Sequence, residues 1–176
     1  TALAELRPRQ VTGLVIVDMP STIDGRGALG WRQRLATAPV IGPALRHAPD
    51  SAIADGAQVA FAPDYEFADG FSQDDQPVED IKSMTYTSFH DAHAATDDYV
   101  SESALAERLA PLGIPLLVIY GGEDQTTDDV EATLADYAAV PGAELVQVAG
   151  AGHSPNVEKP RETAALVLGF AGGRSG

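Results

Sequence analysis

Residues 115–124 read Pro-Leu-Leu-Val-Ile-Tyr-Gly-Gly-Glu-Asp, and this stretch decides the fold. From Pro115 to Tyr120 there is no charge and no polar alternation, the mark of a strand buried on both faces. Gly121 to Gln125 form a turn at its C-terminal end, and Asp124 sits in that turn. Downstream, Val130, Leu134 and Tyr137 recur at helical spacing, with Asp128 and Asp129 in the first turn, where the helix dipole favours acids. Thr126 or Thr127 is expected to cap this helix, and Pro141-Gly142 closes it. Glu144 to Val148 reads as a shorter strand, followed by Gly150-Ala151-Gly152-His153-Ser154-Pro155. A last helix is expected from Lys159 to Ala171, burying Leu166, Val167 and Phe170. Strand, helix and strand in this order make a crossover in a parallel sheet.

Working upstream, Ser101 or Ser103 is expected to cap a helix carrying Leu105, Leu109 and Leu112. At the start of the chain, Thr1 to Arg7 read as a helix end stopped by Pro8. No N-cap precedes it, so the rest of that helix is expected upstream of this chain. Val11 to Val17 is a second apolar run, expected as another buried strand that ends in Asp18. Between about Ser21 and Tyr99, prolines and glycines separate short helix-like pieces, a length too great for a loop. Trp31, Leu35 and Val40 could share one helix face there, and Ile81, Met84, Tyr86 and Phe89 another. The fold class expected is α/β: a mainly parallel sheet with an inserted helical cap. Residues 1–20 and 101–176 then belong to the core and residues 21–100 to the cap.

Composition narrows the function. The chain is 44% hydrophobic and 21% charged, the balance of a globular domain rather than a disordered tail. Its net charge of −15 would repel a phosphate backbone, which argues against nucleic acid. The absence of Cys excludes disulfides, thiolate metal sites and Cys nucleophiles. No apolar run is long enough to span a membrane.

In open parallel sheets, reacting groups gather beyond the carboxyl ends of strands. Asp124 and His153 both sit there, and the crossover brings their strand ends together. A His acting as base needs a fixed tautomer and a nearby negative charge when it becomes imidazolium. A carboxylate on its far ring nitrogen supplies both. Gly150 and Gly152 would let the backbone turn and expose the ring.

At this point the sequence resembles the C-terminal part of the α/β-hydrolase superfamily. Gly121-Gly122-Glu123-Asp124 is similar to the turn bearing the family's triad acid. Gly152-His153, with a helix opening near Lys159-Pro160, is similar to the segment bearing its base. Val11 to Met19 resembles the strand after the nucleophile helix. The resemblance implies hydrolysis of a carboxylic ester or related acyl bond without a cofactor or metal. Asp124 and His153 would be triad acid and base, the substrate small and hydrophobic, and Trp31, Met84, Tyr86 and Phe89 would contact it from the cap. The family's Gly-x-Ser-x-Gly elbow is absent from the chain. The nucleophile and oxyanion hole are therefore expected from an N-terminal half on separate or cleaved polypeptide.

The same residues admit other readings. Asp18, at the end of the first strand, is a rival acid. An Asp nucleophile upstream would make the enzyme a dehalogenase or epoxide hydrolase, and a non-catalytic binding module is a third possibility. His90 and His93, three apart, could bind a metal with Asp91 or Asp97, but no second pair supports them. His47 is expected at the surface. Thr1 as an N-terminal nucleophile is disfavoured, because such enzymes begin with a strand and Thr1 to Arg7 read as helix.

Overall fold

The uncharged run after Pro115 forms strand β2 (Leu116–Gly121), every residue of which is buried. The computed structural model describes residues 1–23, 30–45 and 47–173. β2 lies between β1 (Leu14–Val17) and β3 (Glu144–Val148), and both pairings are parallel. Leu14 stands beside Leu116, and Leu117 beside Glu144.

Alternate residues of β2 serve two cores, as the two-residue period of a strand requires. Leu116, Val118 and Tyr120 pack with Leu105, Leu109 and Tyr137. These come from α7 (Leu105–Leu109) and α8 (Val130–Tyr137). Leu117 and Ile119 pack with Val148 and with Phe170 of α10 (Pro160–Gly172). Each such side chain contributes about 1.5–3 kcal/mol when fully buried, so β2 anchors both layers.

The first strand is shorter than expected. Pro8–Gln10 makes a 3-10 turn ending on Val11, and Leu14 is where pairing begins, its N–H donating to Pro115 at 2.9 Å. Nor is it buried on both faces: Ile16 is buried, but Leu14, Val15 and Val17 are half-buried, because β1 lies at the edge of this sheet. Before it, α1 (Ala2–Leu6) is tied to later helices through Glu5. Glu5 accepts from the Tyr99 hydroxyl and pairs with Arg108 at 3.3 Å, while Arg108 stacks 4.1 Å over the Tyr99 ring.

Helices α2 (Gly30–Thr37), α3 (Ile41–Leu45), α4 (Asp50–Gln58), α5 (Gln76–Ser83) and α6 (Tyr86–Glu102) stand between β1 and β2. Contrary to expectation, Ile81, Met84, Tyr86 and Phe89 do not share one helix face. Met84 is extended at the end of α5, and Thr85 starts a new helix by accepting the N–H of Ser88 at 3.1 Å. Val40 lies beyond α2 and is 83% exposed, so it does not share a buried face with Leu35. Trp31 falls in α2, with its side chain outside the described residues.

Ser101 and Ser103 do not cap α7. α6 runs through Ser101, and Ala104 precedes the first residue of α7. The orphan N–H groups of Leu105 and Ala106 instead donate to the carbonyl and hydroxyl oxygens of Ser21, at 2.8 and 3.1 Å. Ser21 is completely buried, so the chain leaving β1 caps a helix some eighty residues later. No helix among the described residues is long and apolar enough to cross a membrane.

Candidate active site

Three loops at the carboxyl ends of the strands converge. β1 ends on Val17 and leads to Asp18, β2 ends on Gly121, and β3 leads to Gly150 and His153. Gly122 and Glu123 donate their N–H groups to Val148 and Ala151, both at 2.8 Å, which draws the Asp124 turn alongside the His153 loop. Gly150 takes a φ of 64°, the left-handed region open to glycine. Gly152 is needed for a different reason: an added Cβ would lie 2.2 Å from the carbonyl carbon of Phe61.

His153 Nδ1 lies 2.9 Å from Asp124 Oδ2 and 2.9 Å from Thr126 Oγ1. Thr126 Oγ1 donates to Asp124 Oδ1 at 2.8 Å, so its hydrogen is already placed. The network therefore assigns the imidazole hydrogen to Nδ1, shared between Asp124 and Thr126, and leaves Nε2 as an acceptor. Both bonds His153 makes among the described residues are at Nδ1. The ring is 35% exposed, while the Asp124 side chain is wholly buried.

Asp124 accepts two bonds at each oxygen. Oδ1 takes the Thr126 N–H at 2.7 Å and its hydroxyl, and Oδ2 takes the Thr127 hydroxyl at 2.8 Å and His153. Burial pushes the Asp124 pKa up, but the His153 bond and charge, with the Thr126 donors, outweigh it and hold the group below the usual carboxylate value. For His153, burial pulls the pKa down, yet the Asp124 bond and charge, aided by Asp18 and Glu158, raise it above the ordinary imidazole value.

The threonines are a correction to the sequence reading. Neither caps α8. Asp129 does, accepting the Ala132 N–H at 2.9 Å. Thr126 closes an Asx-turn on Asp124, a signal that Asp-x-Thr could have given. Glu158, which ends α9 (Pro155–Glu158), carries no signal in the sequence pattern, yet it accepts N–H groups on both sides of His153.

Asp18 also reaches this site. Its φ of 45° is the one positive value for a non-glycine among the described residues, and Oδ1 accepts the Gly121 N–H at 2.8 Å. Oδ2 is buried without a partner. Carboxylate oxygens of Asp18 and Asp124 and a ring nitrogen of His153 lie within 4.8 Å of one another. This trio is the one group of metal-ligand type found among the described residues. A cation there would compete with four hydrogen bonds to Asp124, so the donor set suits a proton relay better than a metal.

Burial raises the Asp18 pKa from 3.8 to about 7, with Asp124 and Glu158 adding to it and the Gly121 N–H and His153 opposing. Between those values the folded state keeps a proton that the unfolded chain has lost. Stability from this group is thus full below about pH 4 and falls, by up to about 4 kcal/mol, as pH rises to about 7. Asp18→Asn keeps an acceptor for Gly121 and removes the titration. Its melting temperature should gain on the wild type steadily across that window and then hold a constant lead. A difference independent of pH would show that Asp18 is ionised throughout.

The other residues expected at the site lie in the helical segment. The Tyr86 hydroxyl donates to the Thr37 carbonyl at 2.6 Å, joining α6 to α2. Phe89 meets His93 edge-on at 4.4 Å, and Met84 is 41% exposed. His90 pairs with the adjacent Asp91 at 2.9 Å, and His47 is exposed, as expected.

Known proteins bear on this arrangement. The alpha/beta hydrolase family matches residues 1–166. No curated protein matches the chain. Among solved structures, a hydrolase from Pseudomonas aeruginosa PA01 is similar at 26% identity and a TM-score of 0.70, covering 97% of this chain and 59% of its own. An esterase from Thermogutta terrifontis is similar at 21% identity and a TM-score of 0.66, covering 99% and 61%. A meta-cleavage product hydrolase from Pseudomonas fluorescens IP01 follows at 17% identity and 0.67, covering 97% and 59%. The chain thus spans about three-fifths of the length of the structures it matches. A match over nearly all of its residues, on a parallel sheet whose strand ends carry the acid and the imidazole, leads to one assignment: the chain belongs to the alpha/beta hydrolase family.

Proposed function

We propose that this chain supplies the acid and base of a serine-type hydrolase acting on a carboxylic ester or related acyl bond. The nucleophilic Ser and the oxyanion hole come from polypeptide outside these 176 residues. The observation that carries the reading is the 2.9 Å contact between His153 Nδ1 and the buried carboxyl of Asp124. With its hydrogen held at Nδ1, the ring presents Nε2 to take the serine proton as the hydroxyl attacks the carbonyl. Asp124 stabilises the imidazolium so formed. Nε2 then returns the proton to the departing alcohol, leaving an acyl-enzyme that water cleaves by the same relay. Esterase and meta-cleavage product hydrolase neighbours support an acyl substrate. The helical segment of residues 21–100 serves as cap, with Trp31, Met84, Tyr86 and Phe89 contributing apolar surface to the substrate.

The test is covalent labelling of the intact protein that carries this chain, using a fluorophosphonate. The expected result is one labelled Ser in a Gly-x-Ser-x-Gly peptide outside these residues. Asp124→Asn should lower kcat about 10³–10⁴-fold with KM little changed, because the imidazole loses its tautomer and its counter-charge. Label on a residue within this chain, or full turnover by the Asn variant, would overturn the proposal. Absence of phosphonyl label, together with an elbow carboxylate esterified by a haloalkane probe with release of halide, would instead identify an Asp nucleophile.

A further inference from the structure

Glu158 has no part in that relay, yet its carboxylate gathers N–H groups from two distant parts of the chain. Oε2 accepts from Ala62 at 2.8 Å, across 96 residues of sequence. Oε1 accepts from Gly152 at 2.8 Å and from Ser154 at 3.3 Å, the residues on either side of His153. A second link runs beside it, where Gln125, next to Asp124, donates its side-chain N–H to the Phe61 carbonyl at 2.8 Å. The Phe61–Ala62 peptide also rests directly on Gly152, where an added Cβ would come within 2.3 Å of the Ala62 nitrogen.

What is held there is a turn of packed aromatic rings. Phe61 is 6% exposed and stacks on Tyr65 at 5.1 Å, and its ring meets Phe67 at 5.3 Å and Phe71 at 5.9 Å. These rings belong to the helical segment, whereas Gly152 and Ser154 belong to the loop after β3. Only a carboxylate suits the junction. It offers two oxygens with no hydrogen of its own, whereas an amide would turn an NH₂ toward one of the three donors.

We propose that Glu158 is a positioning residue that clasps the aromatic turn of residues 61–71 to the His153 loop, so that the seating of the helical segment and the orientation of the imidazole are set together. This inference rests on the reading of His153 as the base. Movement of the turn is transmitted through one carboxylate to the two peptides flanking the ring. Glu158 also adds negative charge beside His153, together with Asp124 at the end of β2 and, as it ionises near pH 7, Asp18 just after β1.

The experiment compares Glu158→Gln and Glu158→Asp in the intact protein by amide hydrogen exchange, NMR titration of the His153 ring, and ester kinetics. Glu158→Gln should release either the Ala62 amide or the Gly152 and Ser154 pair, whichever side its NH₂ faces. It should also lower kcat about 10–100-fold and move the acid limb of the pH profile to lower pH, because a charge favouring imidazolium is gone. Glu158→Asp keeps the charge but is one methylene too short to reach both loops. Its acid limb should stay near the wild-type position while Ala62 loses protection and kcat falls, and it carries the test if the Gln variant does not fold. Protection at all three amides in either variant, with kcat and the His153 titration unchanged, would overturn the clasp. Exchange and ring titration report the clasp without turnover. A clasp confirmed by them in a protein whose turnover survives His153→Ala would leave the bracing intact and remove only the catalytic reading.

Discussion

Replacing His153 with Ala is expected to lower kcat of the intact protein by about 10⁵-fold or more while the fold persists. The variant removes the base and with it both proton transfers of the proposed cycle. The structure predicts little collateral damage. The ring is 35% exposed, so no deep cavity is left behind. Asp124 loses one bond but keeps three, from the Thr126 N–H, the Thr126 hydroxyl and the Thr127 hydroxyl. Its buried charge is therefore not stranded, and the melting temperature should move by no more than a few degrees. The wild-type profile supplies a second check. A base works only when neutral, and the His153 pKa is raised above 6.5. Activity should rise with pH through a midpoint above that value. Near-normal turnover by the Ala variant, or an acid limb well below the ordinary imidazole range, would end the case for His153 as base.

The parts of this site that the sequence disclosed are those written in local pattern. β2 was legible because a strand buried on both faces needs an unbroken apolar run, and Pro115–Tyr120 has one. β3 was found with its observed bounds, Glu144–Val148, because Pro141-Gly142 before it and Gly150 after it punctuate the chain. The contact of Asp124 with His153 followed from topology alone, since a crossover places successive parallel strand ends side by side. The structure then put those side chains 2.9 Å apart.

What stayed hidden was chemistry with two local outlets or none. Thr126 and Thr127 carry the hydroxyls of a helix cap, but a carboxylate two or three residues earlier competes for them, and Asp129 was free to cap in their place. Ser101 and Ser103 lost a similar contest to Ser21, whose burial beside α7 depends on how β1 packs. Glu158 left no trace in any pattern, because its partner Ala62 is reached only through the tertiary fold. Val11 to Gly13 looked like strand by composition. β1 instead begins where its neighbour's chain can accept a bond, at the Pro115 carbonyl.

The second large effect is expected from the smallest change, Gly121→Ala at the end of β2. A Cβ at this position would lie 1.8 Å from the Gly152 oxygen and 2.5 Å from the Ala151 oxygen. Both obstacles are backbone, so no side chain can rotate away. Neither is free to retreat: the Ala151 carbonyl accepts from Glu123, and the Gly152 N–H is held by Glu158. Gly121 cannot retreat either, since its own N–H is bonded to Asp18 and it sits in register with Val148. Overpacking of mobile side chains typically costs 1–3 kcal/mol, and backbone pinned on both sides should reach at least the top of that range. A loss of about 3 kcal/mol would lower the melting temperature by roughly 6–12 °C for a domain of this size. Gly56→Ala is the matched control: α4 has nothing within 4 Å of the added methyl, and the change should stabilise by about 0.5–1 kcal/mol through helix propensity. The Gly121 clash also falls on the peptide next to His153, so whatever shift relieves it must pull the imidazole from Asp124. Activity should therefore fall further than unfolding accounts for when both are measured well below the melting temperature. Equal melting temperatures for the two variants would mean that the β2 turn and the His153 loop are not in the contact described, and the site would have to be rebuilt from that point.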